Sequence, residues 1–167
     1  MAGALCSGLE AFLTDVVDAA TRSRMMSGIK GKNTSPEILI RKALHSRGFR
    51  FRLHVKYLPG KPDLVFPKYK SVVFIHGCFW HGHQCRYFKV PSTRSDFWLD
   101  KIEKNKARDE LQLMKLRTSG WRVLVIWECS IRLMKKQKSC TLIDQISDWL
   151  LSEDEYRQFD DPFLRNS

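Results

Sequence analysis

Pro62-Asp63-Leu64-Val65-Phe66-Pro67-Lys68-Tyr69-Lys70-Ser71-Val72-Val73-Phe74-Ile75-His76-Gly77-Cys78-Phe79-Trp80-His81-Gly82-His83-Gln84-Cys85 is the stretch whose reading decides the fold. Two β-type runs, residues 63–66 and 71–75, flank the breaker Pro67-Lys68-Tyr69-Lys70 and read as a hairpin. With a four-residue loop Phe66 faces Ser71 and Asp63 faces Phe74, so Asp63 and His76 project to one side. A polar, turn-rich stretch follows to about residue 95. Residues 96–118 then carry a helical pattern closed by Gly120, and residues 121–127 read as a buried-type strand. A helix between two strands of one sheet is a crossover, so the strands at 71–75 and 121–127 are expected to run parallel. Their C-terminal ends then open on one edge, where the antiparallel strand beginning at Asp63 also starts. Side chains emerging there can meet.

Working outward, Ser35-Pro36-Glu37 reads as a helix start, with Ser as N-cap, Pro at the first helical position and an acid in the first turn. That helix is expected to end at Gly48, and residues 49–53 alternate like a strand. Residues 142–151 form a final amphipathic helix. The fold class is therefore α/β, a mixed central sheet flanked by helices. Leu5, Leu9, Phe12, Leu13, Val16 and Val17 recur at helical spacing, which makes residues 1–20 an accessory helix. Residues 21–151 are the expected domain. The acids Glu153, Asp154, Glu155, Asp160 and Asp161 mark 152–167 as a loosely held, solvated tail.

The 167 residues suffice for one domain with a real core. Lys and Arg number 29 against 18 Asp and Glu, a formal net charge of +11, and the pI is near 9.6. A surplus that large points to a polyanionic partner, nucleic acid before an anionic membrane. It is concentrated between residues 22 and 56, which hold ten Lys or Arg and a single acid, Glu37. The longest apolar runs are strand-sized, and the mildly apolar first 20 residues lack a basic n-region. A cytoplasmic protein is expected, with its five cysteines in a reducing compartment.

There, clustered thiols read as metal ligands rather than disulfides. Cys78, His81, His83 and Cys85 fall within eight residues, and Cys129 lies two residues past the parallel strand at the same edge. Three cysteines and one histidine make a closed tetrahedral zinc site, and spacing leaves His81 and His83 competing for the single imidazole place. Asp63 at the open edge is the ligand type that Mg²⁺ takes, completed by waters and phosphate oxygens. An imidazole of near-neutral pKa suits activation of an attacking water.

Several strings together are similar to the very short patch repair endonucleases. They are Pro59-Gly60-Lys61-Pro62-Asp63, the run from Val72 to His81, Phe97-Trp98-Leu99-Asp100-Lys101-Ile102 with Asn105, and the run from Gly120 to Cys129. The resemblance covers about residues 21–149. It implies a restriction-endonuclease-like core with a structural zinc, and Mg²⁺-dependent nicking of one strand of double-stranded DNA beside a T:G mismatch. By motif position it makes Asp63 the Mg²⁺ carboxylate with the Ile75 backbone carbonyl, His81 the base, His76 the neighbour of the scissile phosphate and Glu37 a supporting acid. It gives zinc to Cys78, His83, Cys85 and Cys129. Phe79, Trp80 and Trp98 become wedges that open a weakly paired base step. Met26 would enter the minor groove, and Lys101 and Asn105 contact DNA. The protein is expected to act as a monomer, with other repair proteins as further partners. The second acid and the lysine of the wider restriction-nuclease pattern are replaced here by Phe74-Ile75-His76. A restriction-type nuclease that needs no mismatch, or a non-catalytic zinc-bearing DNA-binding module, would share much of this charge and cysteine pattern.

Overall fold

The first helix is set by a reciprocal cap. The Thr34 side chain accepts from Glu37 N, while Glu37 Oε1 accepts from Thr34 Oγ1 at 2.9 Å. This places the N-cap at Thr34 rather than Ser35, because only a hydroxyl three residues ahead of Glu37 can exchange both bonds. A computed structural model describes residues 32–160 together with positions 18, 20, 21 and 24. The expected accessory helix over 1–20 and Met26 therefore lie outside the described residues, apart from isolated positions.

Helix α1 spans Ser35–Ser46 and stops at Gly48, whose φ of +87° is the left-handed turn that favours glycine. The strand expected at 49–53 is reduced to one bridge, Arg52 with Val65. His54, at φ +56°, turns the chain off the sheet edge directly afterwards. Strand β1 (Leu64–Phe66) pairs antiparallel with β2 (Ser71–His76) through a 3₁₀ turn at Pro67–Tyr69. The register sets Phe66 against Ser71 and Leu64 against Val73, as the four-residue loop requires. Helix α2 (Ser95–Thr118) crosses over to β3 (Arg122–Trp127), which runs parallel to β2 from Ser71 opposite Arg122 to His76 opposite Trp127.

Two further elements complete the sheet and its cover. Helix α3 (Glu128–Gln137) follows β3 directly, and α4 (Thr141–Leu151) leads to β4 (Tyr156–Phe159). Strand β4 pairs parallel to β3, giving the order β1-β2-β3-β4. A loosely held end therefore does not describe residues 156–159. Their acids flank the strand rather than interrupt it, and Arg122 fixes the turn before it. That guanidinium donates to the carbonyls of Trp149 (2.5 Å), Leu150 (3.3 Å) and Asp154 (2.9 Å).

Alternation along the strands divides the core. Leu64, Phe66, Val73, Leu124 and Ile126 pack with Ile40, Leu44, Ile131, Ile146 and Trp149 of α1, α3 and α4. Val65, Val72, Phe74 and Val123 face Leu113 and Leu116 of α2 on the other side. His76 shares the parity of Phe74, and so belongs to the α2 face. Among the described residues no helix is long and apolar enough to cross a membrane.

Candidate active site and metal centre

Parallel pairing brings His76 and Trp127, the last residues of β2 and β3, side by side, and Asp63 stands just before β1 at the same edge. Asp63 Oδ2 accepts from the Ile75 N–H at 2.7 Å, so Ile75 and Asp63 meet through the amide of the residue before His76. Burial holds the Asp63 carboxyl up at about 6; the Ile75 amide opposes this and the nearby Glu37 charge reinforces it. A carboxylate so placed lacks a full set of partners for its negative charge.

The site is a cleft of about 620 Å³, with Asp63, Glu37, His76, His81 and Asp109 among its lining residues and Lys32, Lys56, Lys61 and Arg108 also contributing. His76 and His81 stack with ring centroids 3.8 Å apart and planes 2° apart. Burial pushes His76 down to about 3, with the neighbouring His81 adding to the effect, so His76 is neutral at physiological pH. His81 Nδ1 lies 2.5 Å from Asp109 Oδ2. An aspartate on Nδ1 fixes the proton there and leaves the Nε2 lone pair for other work.

Asp109 is the residue that the sequence reading missed. It sits four residues after Asn105 on α2, one helical turn along the same face, and that spacing was the available signal. Glu37 is buried, and its oxygens accept from Asn33 N (3.0 Å), Thr34 Oγ1 (2.9 Å) and Arg41 Nη2 (2.6 Å). It is thus a paired acid at the cleft wall.

The cysteines lie beside this cleft. Ligand atoms of Cys78, His83, Cys85 and Cys129 all fall within 4.8 Å of one another. Cys129 is in the first turn of α3, which explains how a residue so far along the chain joins the loop after β2. Its Sγ lies 3.6 Å from His83 Nδ1, and the His83 ring stacks on Trp127 at 4.2 Å. The bond from Cys129, with burial, pushes the Cys78 thiol up to about 12, and burial also raises Cys85. Burial and mutual contact favour the neutral thiols, whereas a bound cation favours thiolates. Three sulfurs and one imidazole at this spacing fit a tetrahedral divalent metal. Gly82, at φ +63°, turns the chain between the two histidines, so that His83 joins the thiols and His81 joins Asp109.

The aromatic group also gathers. Ring centroids of Phe79 and Trp80 are 5.1 Å apart, and Trp98 lies 5.6 Å from Phe79 and 6.1 Å from Trp80. Lys101 Nζ stands over Trp80 at 5.3 Å and Trp98 at 5.6 Å, and Asn105 Nδ2 donates to the Trp80 carbonyl at 2.9 Å. Phe97, absent from the sequence-predicted set, packs on Trp98 and remains 44% exposed.

A buried acid, an aspartate-held imidazole and a neutral imidazole at the open edge of a mixed sheet, with basic groups around them, have the form of a nuclease centre. Comparison with known proteins makes the class particular. Residues 14–87 match the family described as DNA mismatch endonuclease Vsr. The chain is 43% identical over 148 residues to the DNA mismatch endonuclease Vsr of Escherichia coli (strain K12), covering 89% of this chain and 95% of that protein. It is 50% identical over 119 residues to the type II nicking enzyme V.XorIIP of Xanthomonas oryzae pv. oryzae, covering 71% and 88%. Against V.NmeAIP, a type II nicking enzyme of Neisseria meningitidis serogroup A, the identity is 48% over 120 residues, covering 72% and 86%. The chain belongs to the Vsr DNA mismatch endonuclease family.

Proposed function

We propose that this protein hydrolyses one phosphodiester bond of duplex DNA beside a T:G mismatch, using a restriction-endonuclease-like core. The observation that carries this reading is the His81–Asp109 pair at 2.5 Å beside Asp63 in one cleft. Asp109 keeps the His81 proton on Nδ1, and Nε2 accepts a proton from water as the water oxygen bonds to phosphorus and the bridging P–O bond breaks. His76, held neutral by burial, is a hydrogen-bonding neighbour for the scissile phosphate rather than a competing charge. Glu37 sustains the negative potential around Asp63 while its own oxygens stay paired.

Asp63, with the Ile75 carbonyl, would hold Mg²⁺, which when bound polarises phosphate oxygens and lowers the pKa of water. Cys78, His83, Cys85 and Cys129 would hold Zn²⁺ as a closed structural site that ties α3 to the loop after β2. Phe79, Trp80 and Trp98 supply the wedge, with Lys101 and Asn105 as DNA contacts next to it and Met26 assigned to the opposite groove. Unstacking a base step costs roughly a few kcal/mol, and least at a mismatch, so a wedge turns weak pairing into selectivity.

End-labelled T:G and matched duplexes, incubated with Mg²⁺ or EDTA and run on a denaturing gel, test the reading. Nicking of the T:G duplex alone, and only with Mg²⁺, is expected. Equal nicking of both duplexes would make the protein a nuclease that needs no mismatch. Binding without any nicking would make it a DNA-binding module.

A further inference from the structure

Arg108 is exposed on α2 beside Asp109 and lines the same cleft as Asp63, His76 and His81. Its Nη2 donates to Asn105 Oδ1 at 2.9 Å, while Asn105 Nδ2 donates to the Trp80 carbonyl at 2.9 Å. The two bonds enforce a single orientation of the carboxamide. A flipped amide would set its NH₂ against the guanidinium and its oxygen against the Trp80 carbonyl oxygen. Arg41, Arg47, Arg132 and Arg157 each pair with a carboxylate, whereas Arg108 forms no ion pair among the described residues. The guanidinium carries five donors in a rigid fork, and one bond to Asn105 leaves the others for phosphate oxygens.

We propose that Arg108 is a positioning residue that ties base reading to phosphate placement, holding the Asn105 carboxamide and a phosphate of the bound strand with one rigid group. The inference rests on the nuclease reading above and extends it. Trp80 belongs to the wedge and His81 follows it directly, so Asn105, held in orientation by Arg108, joins the wedge loop to α2 one turn before Asp109, which holds the base. A duplex that does not admit the wedge displaces the Trp80 carbonyl, loosens Asn105 and withdraws the phosphate's anchor. Discrimination then appears in the rate of the bound complex as well as in affinity, because a misplacement of about 1 Å can cost ~10²-fold in rate.

The test uses Arg108→Ala, Arg108→Lys, Asn105→Ala and the Asn105→Ala/Arg108→Ala pair in the full chain. Single-turnover nicking is measured at saturating protein with Mg²⁺, and affinity for both duplexes by fluorescence anisotropy with Ca²⁺ in its place. Arg108→Ala should lower the bound-complex rate on T:G DNA about 10–100-fold. It should also narrow the T:G preference, with melting temperature and zinc content unchanged because the side chain is exposed. The double variant should lose no more preference than Asn105→Ala alone, the signature of two residues acting as one unit. Arg108→Lys should restore affinity but not rate, since an ammonium lacks the fork. The proposal is overturned if Arg108→Ala weakens both duplexes equally with the bound rate intact, if the two losses add, or if Lys restores the rate. A wild-type protein that nicks neither duplex would instead overturn the nuclease reading, an outcome the same gel separates from these.

Discussion

His81 and His83 stand two residues apart, yet one ring meets a carboxylate and the other meets thiols. A metal-bound imidazole has spent its lone pair and is a poor base, so the two rings cannot exchange duties. His83→Ala should therefore purify with less than one zinc per chain and melt lower, because a structural metal contributes folding free energy directly. His81→Ala should keep its zinc and its stability yet lose about 10²–10⁴-fold in nicking rate, the range for a missing general base. Zinc content by mass spectrometry beside single-turnover nicking separates them, and the reverse pattern would exchange the roles. Asp63 carries a second consequence. Its carboxyl is raised from 3.8 to about 6 in the fold, so between those values the folded state holds a proton that the unfolded chain has released. Stability from this group is fully present below pH 3.8 and is lost as pH rises through about 6, the burial penalty remaining above that. Asp63→Asn should thus abolish nicking while leaving DNA binding near normal, and without Mg²⁺ should melt higher than the wild type at pH 7. That gap should close below pH 4. A variant that still nicks would remove Asp63 from the metal role, and one that melts lower at pH 7 would show that its carboxylate carries no burial penalty.

At the scale of elements, the loop from His76 to Ser95 combines a thiol cluster on one side with the aromatic group on the other. Trp80 is held there by ring contacts with Phe79 and Trp98 and by the Asn105 bond to its carbonyl. Trp80→Ala should lose preference for T:G over matched DNA by more than it loses overall affinity, since stacking on an opened step supplies the discrimination. Competition binding with both duplexes measures this, and an unchanged ratio would return Trp80 to simple packing. The hairpin, its register and the parallel crossover were legible because loop length and strand alternation fix them locally. Asp109 was not. Its partner ring lies 28 positions earlier, and only its place one turn after Asn105 sets it apart from the other acids of a helix of mixed charge. Helix α3 was not read from the sequence because it begins with no gap after β3 and no capping side chain or breaker marks its start. Strand β4 was hidden for another reason: its middle residues Arg157 and Gln158 are exposed, and pairing with β3 rather than composition makes it a strand. The strand expected at 49–53 failed conversely, since alternation suits an edge that the left-handed His54 then leaves.

The whole molecule carries a surplus of cations, and its cleft is lined by the acids Asp63, Glu37 and Asp109, none of them exposed, together with the exposed Lys32, Lys56, Lys61 and Arg108. Two kinds of recognition are proposed there, linked at Arg108 through its bond to Asn105. Cations meet phosphates, which are alike in every duplex, and binding releases condensed counterions in proportion to the phosphates neutralised. In the proposed function the aromatic group and the Asn105 carboxamide meet bases, and they are uncharged. Salt should therefore act on the first and spare the second. Raising KCl from about 50 to about 200 mM should weaken binding to T:G and matched duplexes alike, by roughly 10³–10⁵-fold if six to ten phosphates are engaged. The ratio of the two affinities should stay within about twofold across that range, because its origin lies in unstacking and hydrogen bonding. Anisotropy titrations of both duplexes across a salt series give the two slopes directly. Parallel lines on a log–log plot are expected. Lines that converge as salt rises would mean that the mismatch is read through extra phosphate contacts on a distorted backbone, and would assign discrimination to the cationic residues around the cleft instead of to Trp80 and its neighbours.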